Sequence, residues 1–147
     1  MSVVFRKDNI FIKKIKNNKY KLDYEEGDYK HYWKFVKEII GEKNGYFEAH
    51  SVVSLKELLN KKKKKLSYHH LVSFTNQVGN QYVNLEKDGY GKVFIDVDDI
   101  IVIHKNKSRQ NSIFLCLGLK DVNKIENSNI KINFPYKKSR NSTFFSP

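Results

Sequence analysis

Three carboxylates, Asp96, Asp98 and Asp99, lie between two short apolar runs in segment 94–103 (FIDVDDIIVI). A strand, an acidic turn and a second strand form a layout that can present a catalytic base. It can also present ligands for magnesium, because carboxylate oxygens suit hard cations. This acidic turn (residues 96–99) is the clearest candidate site in the chain.

Hydrophobic periodicity predicts the elements that position this turn. Short apolar or alternating runs predict strands at residues 3–5, 9–15, 19–23, 46–53, 93–95, 100–103 and 113–117. Apolar residues three and four apart predict helices at residues 28–40, 55–59 and 67–88. Asp28 and Ser67 are expected to be N-caps, and Gly41 is expected to end the first helix. Strands first, then mainly helix, then a hairpin form an α+β pattern.

Composition limits the class of protein. With 147 residues, of which 39% are hydrophobic, the chain can form one ordinary domain, or a fragment of a larger one, with a real core. No apolar run approaches the roughly 20 residues that a membrane helix needs. The first residues become charged too soon for a signal peptide. A single cysteine, Cys116, excludes an internal disulfide, and we expect an intracellular protein without a membrane anchor.

The net charge of +12 invites a nucleic-acid interpretation. Lysine supplies 25 of the 28 basic residues, however, and arginine, the usual tool for specific recognition, only 3. Lysine binds phosphates without specificity, so any nucleic-acid contact is expected to be non-specific. The candidate surfaces for nucleic-acid binding are the lysine run at residues 61–65 and the basic tail after Glu126, which contains Lys131, Lys137, Lys138 and Arg140.

Segment 10–15 (IFIKKI) is an apolar run that contains two adjacent lysines. It is similar to V-A-I-K-K-I, the third strand of a protein kinase, which would make Lys13 the phosphate-pairing lysine. Together with the segments that follow it, this part of the chain resembles a divergent protein kinase, of the kind encoded by large DNA viruses with A/T-rich genomes. The helix at 28–40 would be the regulatory helix of the small lobe. Segment 54–59 resembles the segment just past the hinge.

The resemblance continues in the second half. The helix at 67–88 would precede the catalytic loop, and FID at 94–96 stands where H-R-D stands, with Asp96 as the catalytic aspartate. The sequence CLGL at 116–119 looks like D-F-G-L. The closing FFSP at 144–147 is similar to the A-P of A-P-E, cut one residue early.

The resemblance implies a protein-kinase-like fold in two regions. Residues 1–53 would form a small β-rich N-terminal lobe, and residues 54–147 an incomplete helical C-terminal lobe with a β-hairpin. The implied cofactors are ATP and Mg²⁺, with Asp98 and Asp99 as candidate metal ligands. The implied location is the cytoplasm, in the host cell for a viral protein.

The departures from the family pattern concern catalysis. No glycine precedes Gly27, so the G-x-G-x-x-G loop over the nucleotide phosphates is missing. Cys116 occupies the position at which the family has the aspartate that binds magnesium, and a neutral thiol does not hold a hard cation. Phosphoryl transfer depends on positioning and on stabilisation by lysine and metal. We therefore predict a degenerate, pseudokinase-like domain that acts by binding, with weak or no nucleotide affinity.

Three alternatives remain open. The first is an active divergent serine/threonine kinase that uses Asp96, with Asp98 or Asp99 as the metal ligand. The second is a basic nucleic-acid-binding module whose affinity falls steeply with salt. The third is a phosphatase resembling the haloacid dehalogenases, because segment 94–98 fits the D-x-D start of those enzymes. They also need a long α/β continuation after this strand, whereas only 49 residues follow Asp98 here.

An incomplete large lobe also has a consequence for partners. The apolar face of the helix at 67–88 needs a cover, because the helices that would bury it in a full domain are missing. We expect that the chain is a fragment of a longer protein, or that a protein partner or self-association covers this surface.

Overall fold

The computed structural model describes residues 2–62, 67–92, 96–108, 112–119 and 122–125. This part of the chain is α+β, as the sequence predicts. The predicted strand at 93–95, most of the lysine run at 61–65 and the closing segment 144–147 lie outside the described residues. Within the described residues, no helix is both long and apolar enough to span a membrane.

The first sheet is a four-stranded antiparallel sheet in the order β1-β2-β3-β4. Its strands are β1 (Ser2–Lys7), β2 (Ile10–Lys16), β3 (Lys19–Asp23) and β4 (Tyr46–Glu48). Asp8 and Asn18 form the tight turns with positive φ angles of 54° and 65°, which Asp and Asn tolerate better than most side chains. Lys13 therefore lies on the second strand of this sheet, whereas the resemblance places it on a third strand.

Helix α1 (Lys30–Ile40) lies between β3 and β4 in the sequence and connects these two paired strands. It buries Tyr32 and Trp33 in the core. It ends at Gly41 in the left-handed conformation, as predicted. The predicted N-cap Asp28 is wrong, because Tyr29 stands at the cap without a side-chain bond. Asp88 instead accepts hydrogen bonds from the backbone N–H groups of His31 and Tyr32, at 2.9 and 3.0 Å. A residue 57 positions along the chain thus satisfies the start of this helix.

The predicted extended segment 46–53 is two strands in different sheets. β4 ends at Glu48, and β5 (Ser51–Ser54) joins the second sheet, whose order is β5-β7-β8. The other strands are β7 (Ile100–His104) and β8 (Ser112–Cys116), which form the predicted antiparallel ribbon.

Two helices cover one face of this second sheet. α2 (Leu55–Lys62) follows β5 directly, and α3 (Tyr68–Lys87) begins after the predicted cap, since the Ser67 side chain accepts the His70 N–H. A third, two-stranded sheet pairs β6 (Tyr90–Lys92) with β9 (Val122–Lys124). The apolar patterns of the sequence predicted neither β6 nor β9.

Two glutamines of α3 bind the open edge of β8. Gln77 accepts the Phe114 N–H at 2.7 Å and donates to the Ser112 carbonyl at 3.1 Å. One turn later, Gln81 accepts the Cys116 N–H at 2.8 Å and donates to the Phe114 carbonyl at 2.7 Å. The two amides therefore replace a neighbouring strand, and the edge groups of β8 are satisfied without another sheet partner.

Strand β7 divides the core into two layers. Successive side chains point to opposite faces of a strand, so Ile101 and Ile103 pack with the first sheet and α1. Ile100 and Val102 pack with α2 and α3 on the other face. The first cluster contains residues from both sides of the predicted boundary after residue 53, and the two predicted regions share this core.

Candidate functional site

The acidic turn is a single turn of 3₁₀ helix that leads into β7. Asp96 caps it: its Oδ1 accepts the Asp98 N–H at 3.0 Å, and its carbonyl accepts the Asp99 N–H at 2.9 Å. The Asp96 side chain is exposed. The structure thus places this predicted catalytic residue beside the β7–β8 ribbon and gives its carboxylate a local structural contact.

Asp99 is the buried member of the turn, with 6% of its surface exposed. Its Oδ1 lies 3.1 Å from the Lys7 ammonium on β1. Its backbone carbonyl accepts the Leu117 N–H at 2.7 Å. A Cβ built at Gly118 would lie 2.1 Å from the same Oδ1, so the chain passes directly against this carboxylate. These contacts tie the acidic turn to β1 and to the end of β8.

Lys7 is the cation that the structure brings to the buried carboxylate of the acidic turn. Partial burial lowers the pKa of Lys7, but the hydrogen bond to Asp99 and the charges of Asp99, Asp98 and Asp96 outweigh burial and raise it above its ordinary value. The three carboxylates therefore act on one ammonium group. The signal for Lys7 in the sequence is its spacing from Phe5, which puts both side chains on the core face of β1.

Asp98 forms its ion pair with a different lysine. Its carboxylate lies 3.6 Å from the Lys56 ammonium of α2, and both side chains are about half exposed. Solvent and salt screen such a pair, so its contribution to stability is small. Each of the two predicted metal ligands thus contacts a different lysine.

Lys13 lies away from the core face of the first sheet. Its neighbour Ile12 is buried in the core, and side chains alternate along β2, so Lys13 occupies the opposite face. There its ammonium is 3.6 Å from Asp23, which also contacts Lys21 at 3.4 Å. The contacts of Lys13 and of Asp96 are therefore separate, and the phosphate-pairing role of Lys13 stays a prediction.

Cys116 is buried, with 1% of its surface exposed, at the end of β8. Its backbone carbonyl accepts a hydrogen bond from the Tyr32 hydroxyl, which fixes α1 to the ribbon. Burial, with smaller effects of Cys116 and Asp99, raises the pKa of Tyr32 well above its ordinary value. This hydroxyl remains neutral and acts as a structural donor.

In the part of the chain that the structure describes, no group of three or more His, Cys, Asp or Glu side chains converges to form a metal site. The assignment of Asp98 and Asp99 as magnesium ligands stays a prediction.

A separate open depression of about 470 Å³ lies at the far end of β7, lined by Asn18, His50, Lys105 and their neighbours. The Lys105 ammonium donates to the carbonyls of Ile40 and Glu48, at 2.6 and 2.9 Å. Burial lowers the pKa of Lys105 despite the nearby charge of Glu48. Because its main contacts are carbonyls at the ends of α1 and β4, we read this lysine as structural.

Comparison with known proteins gives no relative: no protein-family model, curated protein or solved structure matches this chain. The interpretation of the site therefore depends on its own geometry. That geometry comprises an exposed Asp96, an Asp99–Lys7 pair against Gly118, and a half-exposed Asp98–Lys56 pair.

Proposed function

We propose that this chain is a degenerate protein-kinase-like domain that acts by binding and does not transfer phosphate. The observation that carries the proposal is the acidic turn between the long helix α3 and the β7–β8 ribbon, with its buried carboxylate ion-paired to Lys7. The position of the acidic turn between α3 and the ribbon supports kinase-like ancestry. The ion pair of its buried carboxylate with Lys7 supports the loss of catalysis.

Lysine side chains would compete with a metal ion for the carboxylates of the acidic turn, which disfavours phosphoryl transfer. A magnesium ion at Asp99 would have to displace Lys7 and would have to fit beside Gly118. A magnesium ion at Asp98 would compete with Lys56. Transfer depends on a metal and a lysine placed together on the phosphates, and here internal ion pairs occupy the acidic groups.

We also propose that the chain binds ATP and magnesium weakly. Lys13 would contact the phosphates, and Asp98 and Asp99 would contact the magnesium ion. Each of these groups has an internal partner of opposite charge, so binding must first break those contacts. Weak affinity is therefore expected.

The test is the melting temperature of the full chain with and without magnesium and ATP. We expect a small rise for the wild type and for Asp96→Asn, and none for Lys13→Ala. Lys21→Ala is the matched control, because Lys21 pairs with the same Asp23 from the adjacent strand and should keep the rise. A wild type that shows no rise removes nucleotide from the proposal and leaves a binding domain for a protein partner.

The alternative of an active serine/threonine kinase is favoured by one observation, the exposure of Asp96 next to the ribbon. An accessible carboxylate at that position could accept a proton from a hydroxyl substrate. Incorporation of labelled phosphate into the chain or into a basic protein decides between the two. Incorporation that Asp96→Asn abolishes would overturn the proposal of a catalytically silent domain.

A further inference from the structure

The solvent-facing side of α3 carries an apolar stripe that the rest of the described chain does not cover. We define the outer stripe as Tyr68, Val72, Thr75, Gly79 and Val83. Tyr68, Val72 and Val83 are 80%, 41% and 50% exposed, and Thr75 and Gly79 are also exposed. Their spacing places them on one side of the helix, opposite Phe74 and the glutamines that pack on β8.

The stripe lies in an uncharged region of a highly charged chain. Charged residues make up 30% of the sequence, yet none occurs between Lys65 and Glu86. A helix face that only meets water normally carries charged residues. Depletion of charge is instead typical of the centre of a protein–protein interface.

Within the described residues, no contact explains Gly79 in the middle of α3. A Cβ at this position would meet no described atom within 4 Å, so packing in this part of the chain does not require glycine. Glycine weakens a helix interior relative to alanine. Its useful property here is the shallow gap that it leaves on the outer stripe, where a side chain from another molecule can approach the backbone.

We propose that the outer stripe binds the same stripe of a second copy of this chain, with the two α3 helices antiparallel. A two-fold axis between residues 75 and 76 exchanges Tyr68 with Val83 and Val72 with Gly79. Each Val72 then fills the gap above the partner's Gly79, and each Tyr68 covers the partner's Val83. A pattern of large and small residues that maps onto itself in this way is what a two-fold interface requires.

Charge supports a second copy at this particular surface. Each chain carries a net charge of +12, so two copies repel over most of their lysine-rich surface. The outer stripe has no charge, so two copies can approach there with the least repulsion, because salt screens charges that lie more than about 10 Å away. It also lacks the cations that a nucleic-acid partner would need. This inference does not rest on the proposed kinase-like function.

The first test is sedimentation equilibrium of the full chain at concentrations up to about 1 mM. We expect a monomer–dimer equilibrium that Val72→Lys weakens at least about tenfold, because it buries an unpaired charge at the contact. Asn80→Lys is the matched control, since it adds the same charge to the exposed side of α3 but beside the stripe. A chain that stays monomeric, or equal weakening by both variants, would overturn the proposal.

Gly79→Ala separates the interface from helix propensity, because the two roles predict opposite signs. The added methyl group should raise the melting temperature of the monomer, measured in the Val72→Lys background. It should weaken dimerisation of the otherwise wild-type chain by filling the gap for Val72. A more stable chain with unchanged dimerisation would show that the partner does not approach Gly79.

Cysteine pairing tests the antiparallel register. The native Cys116 is buried, so new surface cysteines can be read separately. A mixture of chains carrying Val72→Cys with chains carrying Gly79→Cys should form a disulfide-linked heterodimer on mild oxidation. Either variant alone should give little crosslinking. Equal crosslinking of the single variants with themselves would indicate parallel or random encounters and would reject the proposed pairing.

Discussion

The carboxylate of Asp99 occupies the space that a side chain at position 118 would need. Gly118→Ala would put a methyl group 2.1 Å from Oδ1, so Asp99 must move and its contact with Lys7 must lengthen. We expect a loss of about 1 to 3 kcal/mol in the free energy of unfolding, measured by urea denaturation.

Gly91→Ala is the control for this substitution. A Cβ at Gly91 would meet Ile125 at an ordinary 3.6 Å, so that variant should unfold much as the wild type does. Equal stability of Gly118→Ala and the wild type would mean that the Asp99–Lys7 contact is not tightly positioned. The acidic turn would then be freer to bind a metal than we propose.

Individual residues show where sequence reasoning succeeds and where it stops. Cys116 is buried, as its apolar surroundings predict, and Ser67 caps α3, because both depend only on local sequence. Lys7 was missed because its partner Asp99 is distant along the chain. The contact exists only once β1 and the acidic turn are placed together by the shared core.

The glutamine contacts of α3 show how one element completes another. Gln81→Leu keeps the size of the side chain but leaves the Phe114 carbonyl and the Cys116 N–H buried without their amide partner. We expect a loss of about 2 to 4 kcal/mol in unfolding free energy, because unpaired buried backbone groups keep their full desolvation penalty. Hydrogen exchange at the Cys116 amide should accelerate in parallel.

Asn84→Leu is the matched control on the same helix. Among the described residues, the Asn84 amide donates to the carbonyl of Asn80 within α3 and not to the sheet, and the side chain is half-buried. Its loss should change stability by less than about 1 kcal/mol. If both variants behave alike, the covering of the β8 edge does not depend on the Gln81 amide.

Periodicity predicted the strongly patterned elements but not the short ones. The three helices and the ribbon are confirmed, because each buries a regular apolar face. The break within 46–53 was missed, since Phe47 and Val52 are both buried but belong to strands of different sheets. The pairing of β6 with β9 depends on contacts across 30 residues, which no local pattern specifies.

Asp88 connects the two halves of the molecule. From the end of α3, its carboxylate accepts hydrogen bonds from backbone N–H groups in the first turn of α1. It also accepts one from the His31 ring at 2.7 Å, and only 4% of the Asp88 side chain is exposed. Burial alone would raise the pKa of Asp88. The N–H groups of His31 and Tyr32 and the His31 ring outweigh burial and lower the pKa below the ordinary value of 3.8.

Because the pKa of Asp88 is lowered in the folded state, the stability of the whole chain should decrease as the pH falls. The contribution of Asp88 is complete above its unfolded pKa and is lost as the pH falls through the folded pKa. Asp88→Asn should therefore unfold about 1 to 2 kcal/mol more easily near neutral pH, and this difference should shrink below about pH 4. Urea denaturation across that range measures both quantities.

Asp28→Asn is the control, because Asp28 is the cap that local sequence predicts. Its carboxylate accepts a hydrogen bond from the Tyr90 hydroxyl at 3.2 Å and from no N–H group of α1 among the described residues. It should lose little stability at any pH. If Asp28→Asn is the more damaging variant, α1 is capped locally and Asp88 does not join the two halves. A difference that grows as the pH falls would contradict the lowered pKa of Asp88, since protonation would then strengthen the very contact that needs the charged form.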